Sequence, residues 1–133
     1  MRATRKRPDR RGAAIVEFAV CVPMLVLLIF GSIQACNLLF LERALTTAAY
    51  EATLEVSKAD ASLATVQQRG SSILDAYGVT GGAIRVSPGG PLEEIPLGAT
   101  VTITVTAPVG PNVPGPEITL VDAEVEATGV TMK

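Results

Sequence analysis

The sequence predicts an α+β protein that crosses a membrane once, in which a long N-terminal helix is followed by a small antiparallel β-meander. Three observations predict this architecture. Residues 18–41 carry no charged side chain, and this run exceeds the roughly 20 residues that a helix needs to span a bilayer. A helical pattern of apolar residues continues beyond the run. Most of the prolines then follow Gly81, with β-branched residues between them, which indicates strands and loops.

The composition agrees with a membrane protein that has a small folded part. Mean hydropathy is +0.40 and 48% of the 133 residues are hydrophobic. Aromatic residues make up only 4% and tryptophan is absent, so a core must be built from aliphatic side chains. Such a core is modest in size.

The predicted basic leader, residues 1–12, has six basic side chains against Asp9, a net charge of +5, whereas the remaining residues carry −7. The basic cluster adjoins the apolar run and has no interleaved aromatic residues. These features favour membrane orientation over nucleic-acid binding. The positive-inside rule then places the N-terminus in the cytoplasm and the C-terminal region across the membrane.

Residues 13–41 are predicted to form the transmembrane helix. Pro23 removes one backbone hydrogen bond and bends the helix near its start. Gly31, Ser32 and Ala35 form a patch of small residues that lets another helix approach closely. A plain lipid anchor with incidental small residues explains the patch equally well. The two cysteines, 15 residues apart in this segment, are separated by about 22 Å along a helix, too far for a disulfide.

Residues 42–80 are predicted to form an amphipathic helical stem. Its apolar stripe comprises Leu45, Ala49, Ala52, Val56, Ala59, Leu63 and Val66. With no glycine or proline from residue 42 to Gly70, one helix is expected to cover residues 13–68. Ser71 and Ser72 then offer the N-cap of a shorter helix that ends near Tyr77 and Gly78. Two uses of the stripe remain open, which are packing against the strands and contact with neighbouring subunits.

Residues 81–133 are predicted to form a β-rich extracytoplasmic tail. Strands are expected at residues 83–87, 100–106 and 117–127, with residues 130–132 as a further edge and residues 110–116 as a proline-rich loop. Since no helix separates these strands, an antiparallel meander with one face on the stem is the natural arrangement.

No enzyme activity is expected from this sequence. Histidine is absent and both cysteines lie in the apolar run, so neither a metal site nor a cofactor site is predicted. Asp122, Glu124 and Glu126 alternate on one strand and offer oxygen ligands for Ca²⁺. A solvated acidic edge that discourages further strand pairing is the favoured interpretation.

The segment from Gly12 to Phe18 carries the strongest functional signal. Glu17 is the only acid at the entrance to the apolar run, and a carboxylate at the centre of a bilayer costs roughly 2.5–3.5 kcal/mol on insertion scales, so such groups are usually functional. A basic leader, Gly12, four apolar residues, Glu17 and Phe18 together resemble the class III signal of type IV pilin-like proteins. With Pro23 included, residues 10–41 resemble the TadE-like family of the tight-adherence pilus system.

The resemblance implies cleavage between Gly12 and Ala13 by a prepilin peptidase, with Glu17 and Phe18 serving recognition and assembly. It further implies a bacterial inner-membrane protein whose partners are that peptidase, other pilin-like subunits, the inner-membrane assembly platform and the lipid bilayer. The β-rich tail favours a minor pilin or pseudopilin. Ala13 departs from the phenylalanine usual at the first mature position, so N-methylation is not implied.

Two other interpretations compete with this one. A single-pass anchor whose tail binds another envelope component would keep its leader, and the cost of Glu17 would then be unexplained. A lipoprotein acylated at Cys36 is disfavoured because the apolar run before it is longer than a normal signal segment.

Overall fold

A computed structural model describes residues 10–58, 60–114 and 123–133. Residues 1–9 of the predicted leader lie outside this range. The first helix, α1, spans Arg10–Val56. Contacts divide the chain into two compact units, Met1–Ile33 and Gln34–Lys133, so α1 contributes residues to both.

The first unit consists of the N-terminal part of α1. Its side chains from Gly12 onward are exposed except for the half-buried Val22, and Pro23 lies inside the helix. Among the described residues, the one helix that is long and apolar enough to cross a membrane is Gly12–Val56, and none of its most apolar stretch is buried. These properties are consistent with a single-pass membrane protein.

The second unit adds two α-helical segments, a 3-10 turn and a sheet to the end of α1. In chain order, its elements are α2 (Leu63–Ala76), β1 (Ala83–Ser87), a 3-10 turn (Leu92–Glu94), β2 (Thr100–Pro108), the single turn α3 (Val109–Asn112) and β3 (Glu124–Met132).

The three strands form one antiparallel sheet in the order β1-β2-β3, so β2 lies at the centre. Ile103 is paired with Val86 on one side and with Gly129 on the other. Along β2, buried aliphatic residues alternate with half-buried threonines, as expected for a strand with one face on a core. The predicted α+β class, with a long helix before a small antiparallel meander, is confirmed.

The apolar face of the sheet and the alanine-rich side of α1 share one hydrophobic core. Leu45, Ala52, Ile103 and Val105 are all fully buried in it. The contribution of α1 to this core is Leu41, Ala44, Leu45, Ala48, Ala49, Ala52 and Val56. Of the two uses considered for the stripe, packing within the chain is therefore confirmed for its described buried members; Ala59 lies outside the described residues.

The predicted continuous helix over residues 13–68 is wrong. α1 ends at Val56 and α2 begins at Leu63. Between them the chain turns, with hydrogen bonds from Lys58 N to Glu55 O and from Ala61 N to Lys58 O, both 3.2 Å. Val66, the last residue of the predicted stripe, is buried on α2. The helical spacing of apolar residues thus extends across a turn at which the helix itself is interrupted.

The predicted cap at Ser71 and Ser72 is also wrong. The N-cap of α2 is Ser62, which forms a capping box with Thr65. Ser71 and Ser72 lie inside α2, and their hydroxyls donate to backbone carbonyls one turn earlier, at 3.0 and 2.7 Å. The expected end of this helix is confirmed, because Tyr77 is its C-cap and Gly78 follows with φ +70.

The predicted strands β1 and β2 are confirmed. The predictions for the chain after β2 differ from the structure. β1 matches its predicted bounds, and β2 continues two residues further, to Pro108. The predicted loop begins with the helical turn α3. Residues 117–122 of the predicted third strand lie outside the described residues, and the predicted edge at residues 130–132 belongs to the same strand, β3.

Candidate processing and assembly site

The Gly12–Ala13 peptide bond lies at the start of α1. Both residues are exposed and belong to the first four of the helix. Both residues face open space among the described residues, so the bond is accessible from outside the helix.

Packing does not explain why residue 12 is glycine. A Cβ built on Gly12 would meet no atom within 4 Å among the described residues. Glycine in a helix interior is less stable than alanine by roughly 0.5–1 kcal/mol. Since the fold gains nothing from the missing side chain, a requirement outside the fold is the better explanation for Gly12.

Glu17 extends from α1 into open space. Its side chain is exposed, and no described residue donates a hydrogen bond or forms an ion pair with it. It follows Ala13 by four residues, so the two lie on the same side of the helix, one turn apart. A carboxylate at position 17 is thereby placed within reach of whatever group occupies the start of the helix.

Phe18 and the small-residue patch are similarly uncovered. Phe18 is 68% exposed. Gly31, Ser32 and Ala35 are exposed, and a Cβ on Gly31 would meet nothing within 4 Å. The Ser32 hydroxyl donates to the Ile29 carbonyl oxygen at 2.8 Å, which satisfies its donor without a second chain. The patch remains available to an approaching helix.

The segment that contains Gly12 and Glu17 is similar to a known protein family. Residues 12–54 match the TadE-like protein family. The TadE-like segment starts at Gly12, includes Glu17 and ends near the end of α1, and it confirms the resemblance read from the sequence. It covers about a third of the chain and indicates a protein associated with the Tad pilus. No curated protein and no solved structure matches the chain.

The part of the chain beyond the TadE-like segment has no metal centre among its described residues. No group of three metal-ligating side chains occurs there. Glu124 and Glu126 are exposed on β3, and Asp122 lies outside the described residues. The interpretation of these carboxylates as a solvated acidic edge stays a prediction.

Two arrangements of side chains escaped the sequence analysis because each joins residues that are distant in sequence. Phe40 of α1 and Tyr77 at the end of α2 pack with ring centroids 5.7 Å apart. Asn112 accepts from the Thr80 N–H at 2.7 Å and donates to the Thr80 and Pro108 carbonyl oxygens at 2.8 and 2.7 Å. The sequence predicted a helix at Phe40, a helix end at Tyr77 and a loop at Asn112, but it carried no signal for these pairings.

Proposed function

We propose that this protein is a TadE-like minor pilin or pseudopilin that a prepilin peptidase cleaves between Gly12 and Ala13. In this proposal it resides in the bacterial inner membrane with its N-terminus in the cytoplasm. It contributes to assembly, initiation or anchoring of a tight-adherence pilus through contacts with other pilin-like subunits and the assembly platform. Its role is non-catalytic and requires neither a cofactor nor nucleic acid.

The observation that carries the proposal is an unpacked glycine at the start of the TadE-like segment, with Glu17 beyond it. A peptidase needs access to the scissile bond, and Gly12 and Ala13 are exposed in the first turn of α1. Cleavage at this bond removes only Arg10, Arg11 and Gly12 from the described helix. The rest of α1 stays helical and retains its place in the membrane.

Cleavage would create a new α-amino group on Ala13. Glu17 lies one helical turn away, and an isolated carboxylate near lipid is costly. An amine and a carboxylate that pair there offset part of each other's desolvation cost. We propose that the amine belongs to a neighbouring subunit, whose helix approaches α1 along the small-residue patch.

The cleavage proposal is tested by mass spectrometry of the mature N-terminus, with and without co-expressed prepilin peptidase. The wild-type chain should begin at Ala13 only when the peptidase is present. Gly12→Ala should block processing although it introduces no clash. Gly31→Ala is the matched control, since it makes the same change at another exposed helical glycine with open space around it.

Each alternative has its own result in this experiment. An intact leader in the presence of active peptidase would refute the proposal and favour the single-pass anchor. A chain that begins at a lipid-modified Cys36 would establish the lipoprotein. Glu17→Ala should still be cleaved but should fail to enter assemblies that the wild-type chain joins. Normal assembly of that variant would refute the charge-pairing role.

A further inference from the structure

The second unit has an exposed groove beside the aromatic pair. Its volume is about 490 Å³, and its lining includes Leu39, Phe40, Arg43, Thr46 and Tyr77. The rings of Phe40 and Tyr77 are tilted by 54°. Leu39, Phe40 and Tyr77 remain 59%, 54% and 40% exposed despite this contact. An apolar surface with a cation at its border is thus left uncovered by the described residues.

The groove coincides with a chemical boundary along α1. Residue 41 is the last of the uncharged run, and the first charged residues after it, Glu42 and Arg43, both line the groove. In a membrane helix such a boundary marks the passage from hydrocarbon to headgroups. Tyrosine is enriched at this level, where its ring contacts apolar chains and its hydroxyl contacts water.

The contact with Phe40 brings the end of α2 to this same level. Tyr77 is the C-cap of α2 and is 37 residues from Phe40 in the sequence. It reaches the boundary because α2 runs back along α1, where Gly70 of α2 lies close to Ala52. Two separate elements therefore present aromatic rings where the apolar run of α1 ends.

We propose that this groove seats the headgroup of a membrane phospholipid, so that the end of α2 rests on the bilayer surface. Arg43 contacts the phosphate, Glu42 takes the ammonium of an ethanolamine headgroup, and the Phe40–Tyr77 pair lies at the glycerol level. The inference rests on membrane insertion of α1, which the proposed function shares, but it does not depend on cleavage at Gly12.

Two observations favour a lipid over a protein partner: the charges at the border of the groove and its position next to the apolar run of α1. The groove adjoins the apolar run that a bilayer would cover, and adjacent opposite charges at its border complement a zwitterionic headgroup. Arginine also matches phosphate geometry well, because its guanidinium donates several hydrogen bonds from one plane.

The absence of tryptophan permits a direct test. The full chain is inserted into phosphatidylethanolamine-rich vesicles that contain lipids with a nitroxide on the headgroup, which quenches nearby fluorophores. In the Tyr77→Trp variant the introduced tryptophan is the single indole of the protein. We expect Tyr77→Trp and Phe40→Trp each to lose most of the indole emission. Tyr50→Trp, ten residues beyond Phe40 and about 15 Å further along α1, should keep its emission. Retained emission from Tyr77→Trp or from Phe40→Trp would overturn the proposal.

A second set of variants tests the groove without changing Tyr77. The chain has two tyrosines, so Tyr50→Phe leaves Tyr77 as the only one, and its native emission should be quenched by the same lipid. Adding Arg43→Gln to Tyr50→Phe should reduce this quenching. Adding Arg69→Gln instead is the matched control, since Arg69 pairs with Glu51 at 2.9 Å and is absent from the groove lining. Equal quenching in these two double variants would overturn the role of Arg43, and unquenched Tyr77 would overturn the docking.

Discussion

Gly129 determines how closely β3 approaches α1. A Cβ on this residue would lie 2.6 Å from the Thr53 Cγ2 and 3.1 Å from the Ala49 backbone oxygen. The methyl group of Thr53 can shift only slightly, since the residue is buried and its hydroxyl donates to the Tyr50 carbonyl oxygen at 2.6 Å. The helix backbone cannot move without disturbing the alanines beside it. The missing side chain at position 129 is thus part of the helix–sheet contact.

We predict that Gly129→Val lowers the free energy of unfolding of the second unit by about 1–3 kcal/mol, the usual cost of overpacking. Valine is a better strand former than glycine, so a loss of stability must come from the contact with α1. Urea denaturation in detergent, followed by circular dichroism, measures the change. Gly89→Val is the control, because a Cβ there meets nothing within 4 Å. Equal midpoints for the two variants would contradict this account.

At the scale of elements, the turn between α1 and α2 is a feature that the local sequence pattern did not predict. The apolar stripe keeps a helical period through residues 57–62, and no glycine or proline interrupts it. Ser71 and Ser72 were predicted as the cap, whereas the structure places Ser62, with an extended backbone, directly before α2. The choice depends on how α2 folds back onto α1, which is a long-range contact that local spacing does not encode.

The cap gives an element-scale prediction. Ser62→Ala should destabilise α2 by about 1 kcal/mol, because the Ser62 side chain accepts from the Thr65 N–H. Faster hydrogen exchange of the amides at the start of α2 would report this loss. Ser72→Ala is the matched control: alanine is the better helix former, so exchange there should be unchanged or slower. Equal acceleration in both variants would show that Ser62 does not act as the cap.

Other elements were predictable because their signals are local. β1 was predicted at its observed bounds, and the alternation of threonine with aliphatic residues identified β2 and its buried face. The candidate site is likewise a linear motif, so Gly12 and Glu17 could be proposed from their resemblance to the class III signal. Gly129, Asn112 and the Phe40–Tyr77 pair were not recognised, because their roles depend on residues 30 or more positions away.

At the scale of the whole molecule, burial is concentrated in the second unit. Its core contains every buried hydrophobic residue of the described chain, from Leu41 to Val109. The described side chains of the first unit from Gly12 onward are almost all exposed. The first unit therefore relies on lipid or on other helices to cover its apolar surface, whereas the second already has an internal core.

We predict that a fragment covering residues 34–133 folds in water without lipid. Thermal unfolding followed by circular dichroism should show a single cooperative transition. The same fragment with Leu45→Asp is the control, since Leu45 is 0% exposed and an unpaired charge at a buried site is strongly unfavourable. A non-cooperative melt of the unmodified fragment would show that the core depends on the first unit or on the membrane.

The alanines of α1 have a consequence for how this protein can vary. At Ala44, Ala48, Ala49 and Ala52 the helix presents only methyl groups to the core, so any larger residue must displace a neighbouring element. The aliphatic residues of the sheet can exchange for others of similar volume at lower cost. Where α1 packs on the sheet, we thus expect the alanines of the helix to tolerate few substitutions and the aliphatic residues of the strands to tolerate more. Related chains should differ more in their strands than along this side of α1.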